Sequence, residues 1–144
     1  TPLYSSAASD VYKRQLLSLK WTGLRNLDEN RTLYLLIIPA YSRGAMMFGI
    51  RWMRYGRPDG GLGTDFFAGR PPLFALSTIL IPVAISSGLG MGAIWYNALY
   101  GAMTLLVLLY YRRRLNCITG DMLGAMAETL ETGLILVACV GAAG

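Results

Sequence analysis

Four apolar runs separated by basic or glycine-containing turns constrain this chain more than any other feature of it. The third, residues 89–111, is long enough for the ~20 residues that cross a bilayer, and Arg112, Arg113 and Arg114 close it abruptly. The first, residues 32–50, carries Pro39 and Arg43 and is therefore not a clean lipid-facing span. The second, residues 73–87, is short and contains Pro82, while the fourth begins near Thr119 and runs to about residue 143. Ahead of them, residues 16–24 (LLSLKWTGL) read as the end of an earlier helix, followed by a polar connection over 25–31. A backbone in hydrocarbon has to satisfy its own hydrogen bonds, so runs of this length are expected to be helices. The expected fold is all-α: a polytopic transmembrane helix bundle with about four spans plus the end of an earlier helix.

Composition agrees with a bilayer partner. Of 144 residues, 54% are hydrophobic and only 15% charged, against about 25% in soluble domains. The net charge of +5 does not indicate a nucleic-acid partner, because the arginines sit beside apolar runs. Four spans put the loops 51–72 and 112–118 on one side. They carry seven arginines (Arg51, Arg54, Arg57, Arg70 and Arg112 to Arg114) against two, Arg25 and Arg31, on the other. The basic side is expected to be cytoplasmic, so the start of the fourth span faces the cytoplasm. Trp21, Trp52, Trp95 and the tyrosines near span ends read as interface anchors. Two cysteines and no histidine exclude a disulfide framework and an ordinary Cys/His zinc site. Chemistry then rests on carboxylates, arginines, hydroxyls, backbone groups and an oxygen-liganded metal.

The chain begins with Thr1, not Met, and Asp10-Val11-Tyr12-Lys13-Arg14-Gln15 has the look of a translated adaptor end. Residues 1–15 are accordingly set aside as a non-native leader, and residues 16–144 are treated as part of a single transmembrane domain.

The segment richest in chemistry is Thr119-Gly120-Asp121-Met122-Leu123-Gly124-Ala125-Met126-Ala127-Glu128-Thr129-Leu130-Glu131. With Asp121 as origin on a helical wheel, Gly124 falls at about −60°, Glu128 at about −20° and Glu131 at about −80°. The three acids and the glycine therefore share one side of a helix, with Glu131 about 15 Å deeper than Asp121. A carboxylate at the middle of a span costs about 2.5–3.5 kcal/mol and is placed there for a polar cavity, a partner charge or a metal. Asp121 alone could be an ordinary first-turn acid favoured by the helix dipole. Gly120 and Gly124 form a small-xxx-small pair, which serves either close helix packing or room for a ligand. Arg43, inside the first run, could pair with one of these acids or hold a phosphate through its planar fork. The loop RYGRPDGGLGTDFF could cradle an anion on glycine N–H groups and Arg57, or be a solvated connector, and it is not a Walker A loop. The triple arginine is most simply a topology signal beside lipid headgroups.

Thr119-Gly120-Asp121-Met122-Leu123-Gly124-Ala125, with Glu128 and Glu131, resembles the C-terminal TGDxLGAxxExxE signature of cobalamin synthases (adenosylcobinamide-GDP ribazoletransferases). Leu19-Lys20-Trp21 resembles the family's LKW segment, and Ser42-Arg43 with the stretch from Tyr55 to Gly63 resembles its (S/G)R…YxRPxGLG pattern, with one extra glycine at Gly60-Gly61. The resemblance covers residues 16–144 and makes the chain the C-terminal part of such a protein. It implies a Mg²⁺-dependent transferase, multi-pass in the bacterial cytoplasmic (inner) membrane, that joins adenosylcobinamide-GDP to α-ribazole or its 5′-phosphate and releases GMP. Mg²⁺ would be the cofactor. Asp121 would be a metal ligand and catalytic, and Glu128 a second ligand or the residue that orients one. Arg43, Arg57, Thr119, Gly120 and Gly124 would line the phosphate, and Glu131 would be a structural partner of Arg43. The family's upstream aspartate-rich motif of HLDGxAD type is not in this chain, so the chain alone is expected to be inactive.

Other functions predict different behaviour. Another membrane phosphotransferase acting on CDP-alcohol-type substrates would carry its own aspartate cluster. A proton-coupled transporter subunit would use Asp121, Glu128 and Glu131 as a relay and show pH-dependent flux without nucleotide chemistry. A purely structural membrane subunit would tolerate Asp121→Asn.

Overall fold

The computed structural model describes residues 3–27, 30–56, 67–69 and 71–142. Its helices are α1 (Leu3–Arg25), α2 (Arg31–Trp52), α3 (Leu80–Ser86), α4 (Gly92–Arg114) and α5 (Gly120–Ala142). Three helical stretches, Arg31–Trp52, Gly92–Arg114 and Gly120–Val140, are long and apolar enough to cross a membrane. The shorter apolar stretch Leu73–Leu89 is the fourth. The chain thus forms an all-α membrane helix bundle. The spans lie within two or three residues of the apolar runs that announce them. α1 is longer than its apolar end suggests and continues back through residues 3–15 without a break.

The second run is the exception to regular helix. It starts as a 3-10 helix (Leu73–Ile79), passes through the seven-residue α3 and ends in a second 3-10 turn (Ser87–Leu89). Four hydroxyls there bond back to the carbonyl three residues earlier. Ser77 donates to Phe74 at 2.5 Å, Thr78 to Ala75 at 2.7 Å, Ser86 to Val83 at 2.6 Å and Ser87 to Ala84 at 2.6 Å. Side-chain bonds of this kind compete with the α-helical ladder. Pro82 lies in α3 with no N–H to donate, which interrupts the ladder running on from the preceding 3-10 turns.

α5 is the centre of the bundle. Its register against α2 is antiparallel: a Cβ on Gly49 would meet Leu123, while Ser42 meets Glu131. Against α1 it is parallel, with Lys20 at Glu128 and Gly23 at Ile135 and Cys139. The core between α2, α4 and α5 is built from Ile37, Ile38, Tyr41, Ala45, Tyr96, Tyr100, Met126, Leu130 and Leu134, all buried. Tyr41 and Tyr100 pack with ring centroids 4.4 Å apart, and Tyr41 and Tyr96 at 6.2 Å. These three tyrosines are core residues and not interface anchors, whereas Trp21, Trp52 and Trp95 are 60–79% exposed, as anchors are. The Tyr41 hydroxyl meets Asn97 Oδ1, and Asn97 Nδ2 donates to Ser86 Oγ and to the Ala93 carbonyl, each at 2.8 Å. That network holds the irregular α3 region against α2 and α4, because buried polar groups without partners are costly.

α4 ends in a tight turn. Leu115 and Asn116 N–H both bond the Tyr111 carbonyl, and Asn116 takes a left-handed conformation (φ 53°) that asparagine tolerates. Four residues later, at Gly120, α5 begins, at the same end of the bundle as the C-terminus of α2.

Candidate functional site

Thr119 caps α5. Met122 N–H points at Thr119 Oγ1 at 3.4 Å, and Leu123 N–H donates to the Thr119 carbonyl at 3.0 Å. Asp121 lies in the first turn, where the helix dipole favours a carboxylate, and it is exposed. Gly120 and Gly124 are also exposed, and a Cβ on either would meet nothing within 4 Å among the described residues. Among the described residues the small-xxx-small pair is therefore not a helix contact.

The basic glycine-rich loop starts against this same end. Gly56 N–H donates to the Ile118 carbonyl at 3.0 Å and Ile118 N–H to the Arg54 carbonyl at 2.9 Å, a short parallel bridge between Tyr55 and Ile118. Close approach requires glycine here, because a Cβ on Gly56 would lie 2.8 Å from Cys117 Sγ. Tyr55 and Gly56 are thereby fastened to Ile118, one residue before the TGD motif. Arg57 itself lies outside the described residues.

Two to three turns deeper, α1, α2 and α5 converge on an ionic cluster. Glu131 Oε2 accepts from Lys20 Nζ at 2.7 Å, and its Oε1 accepts from Ser42 Oγ at 2.7 Å and Arg43 Nη1 at 2.9 Å. Lys20 Nζ also reaches Glu128 Oε2 at 2.6 Å. Arg43 Nη1 bonds Ser42 Oγ at 2.9 Å, and that serine is fully buried. Two cations face two carboxylates, so the cluster is neutral. The burial is graded: the side chains of Lys20 and Glu131 are 14% and 17% exposed, those of Glu128 and Arg43 50% and 64%. Glu131 is saturated from inside the bundle. Glu128 and Arg43 present their outer sides.

Lys20 is the member that helix-by-helix inspection of the sequence passed over. Its signal was present: a lysine inside the apolar stretch LLSLKWTGL needs a partner for the same reason that Arg43 does.

The donors suit a hard cation, being carboxylate oxygens with no histidine or thiolate among them. Among the described residues no group of three or more Asp, Glu, Cys or His side chains converges on one point. Asp121 and Glu128 are seven residues apart, about 10.5 Å along the axis, and Glu128 already shares Lys20 with Glu131. Two carboxylates at that spacing do not by themselves complete the oxygen shell that a hard divalent cation takes.

The family model of cobalamin-5-phosphate synthase (CobS) matches residues 14–139. The chain belongs to the cobalamin-5-phosphate synthase family. The match takes in α1 from Arg14 onward, α2, the loop, α3, α4 and nearly all of α5, and so includes every candidate residue named above. A relative from Desulforamulus reducens named adenosylcobinamide-GDP ribazoletransferase is 29% identical over 127 residues, which cover 88% of this chain and 51% of the relative. The chain thus spans about half the length of the curated relative it matches. No solved structure matches it. Membership in the synthase family together with the three long apolar helices makes this a multi-pass membrane protein.

Proposed function

We propose that the protein joins adenosylcobinamide-GDP to α-ribazole or its 5′-phosphate and releases GMP, in the last steps of cobalamin biosynthesis at the bacterial cytoplasmic membrane. The observation that carries this is the TGDMLGA segment: in a chain of the synthase family it forms the first turns of α5 with Gly120, Asp121 and Gly124 exposed, and Gly56 at the start of the basic loop is bonded to Ile118 beside it. A hydroxyl of the ribose attacks the cobinamide-side phosphorus, the bond to the bridging oxygen breaks, and GMP departs with that oxygen. Such a displacement needs positioning and charge neutralisation more than covalent catalysis.

The helix N-terminus offers partial positive charge to a phosphate, and a glycine at positions 120 and 124 lets it approach the backbone. Arg43 has a guanidinium steadied on one side by Glu131 and Ser42, leaving its outer side for a phosphate oxygen. Arg57 would contact phosphate at the α5 N-terminus, about 15 Å along the helix from the level of Arg43. Asp121 would supply one carboxylate to Mg²⁺, and Glu128 would ligate or orient it, the remaining donors lying elsewhere in the protein. When bound, Mg²⁺ supplies neutralisation of diphosphate charge. Glu131 serves as the internal partner of Arg43.

The test is complementation. The full-length gene should restore growth on cobinamide to a bacterium lacking cobalamin synthase, and Asp121→Ala should not. Failure of the intact, membrane-localised protein to restore growth would end the assignment.

A further inference from the structure

Among the described residues Lys20 is the one side chain that bonds both intramembrane glutamates, and it comes from a helix that carries none of the TGD motif. Its side chain is 14% exposed, and its ammonium donates to Glu128 Oε2 at 2.6 Å and Glu131 Oε2 at 2.7 Å. The two acids differ in what else they have. Glu131 keeps Ser42 and Arg43 on its other oxygen, so it stays anchored without Lys20. For Glu128, Lys20 is the cation that fixes the side chain, which is half exposed on the side away from the bundle centre.

We propose that Lys20 is a positioning residue of the transferase site, setting the orientation of Glu128 from α1 while Glu131 serves as its inner counter-anchor. This rests on the transferase function proposed above. The physical reason is geometry. Ser42 and Arg43 hold Glu131, Glu131 holds the ammonium of Lys20, and that ammonium fixes Glu128 at 2.6 Å on the outer side of the cluster. The glutamate on the far side of Lys20 therefore acts on Glu128 without touching substrate.

Lys20→Met alone leaves unbalanced carboxylates inside the bundle and can fail to fold. The working variant is Lys20→Met with Glu131→Gln, in the full-length protein. It removes one charge of each sign and keeps an amide oxygen for Ser42 and Arg43. Lys20→Arg is the conservative control. Two readouts are taken on folded protein in proteoliposomes: kcat and KM for adenosylcobinamide-GDP, and the rate at which dicyclohexylcarbodiimide labels Glu128, followed by mass spectrometry.

The expected result is a kcat at least tenfold lower in the double variant with KM within twofold of wild type, recovery to a third or more in Lys20→Arg, and labelling of Glu128 at least fivefold faster in the double variant. Wild-type labelling in the double variant overturns the inference, whether or not the protein proves to be a transferase. So does wild-type kcat, which would leave Lys20 only a packing role. Faster labelling in a protein whose wild type releases no GMP would instead remove the transferase function and leave the control of Glu128 by Lys20 standing.

Discussion

Ser42 Oγ lies 2.7 Å from Glu131 Oε1, and the serine is completely buried. The contact joins the proline-containing turn of α2 to the middle of α5, since the same hydroxyl lies 2.9 Å from the Pro39 carbonyl. A hydrogen bond to a charged group is worth about 1.5–3 kcal/mol. Ser42→Ala should therefore lower the apparent melting temperature of the detergent-solubilised protein by several degrees, with Arg43 still paired to Glu131. Melting unchanged from wild type would show that the serine does not hold the carboxylate.

The bridge between Tyr55 and Ile118 makes Gly56 sensitive to a single methyl group. Its added Cβ would sit 2.8 Å from Cys117 Sγ and 3.2 Å from Cys117 Cβ. Gly56→Ala should push the basic loop away from α5 and cut transfer about tenfold, a cost of ~1.4 kcal/mol in the barrier. Cys117→Ala removes the closer atom, so the double variant Gly56→Ala/Cys117→Ala should recover much of the loss. Equal activity of the single and double variants would mean that the contact does not govern the loop.

The charge distribution predicts orientation. In a background with Cys117 and Cys139 changed to alanine, Arg113→Cys should react with a membrane-impermeant maleimide only in inverted vesicles, and Ser87→Cys only in right-side-out cells. Both positions are exposed and lie at opposite ends of the bundle. The reverse pattern would put the TGD motif on the outer face, away from cytoplasmic nucleotide.

Much of this was legible in the sequence. Residues 32–50, 89–111 and 119–143 announce α2, α4 and α5 by length and apolarity, and the wheel that places Glu128 beside Glu131 needs only 3.6 residues per turn. Two things were hidden. The run 73–87 is apolar enough for a helix, but its hydroxyls and Pro82 break the ladder, and what stabilises the result is a network reaching Tyr41 on α2 and Asn97 on α4. The Lys20 bridge was hidden for the same reason: its partners are 108 and 111 residues away, and a single helix's periodicity carries no information about which neighbour it meets. The glycines of the motif went the other way. Their spacing suggested packing, and the fold leaves both uncovered among the described residues.

The measurement that bears most directly on the central claim is GMP release by the full-length protein in proteoliposomes supplied with adenosylcobinamide-GDP, α-ribazole 5′-phosphate and Mg²⁺. Wild type should release GMP in step with formation of the cobalamin phosphate, and Asp121→Asn should be slower by about 100-fold, the equivalent of ~3 kcal/mol of lost charge stabilisation. Undiminished GMP release by Asp121→Asn, at equal folded protein, would contradict the role of the α5 N-terminus on which the account stands.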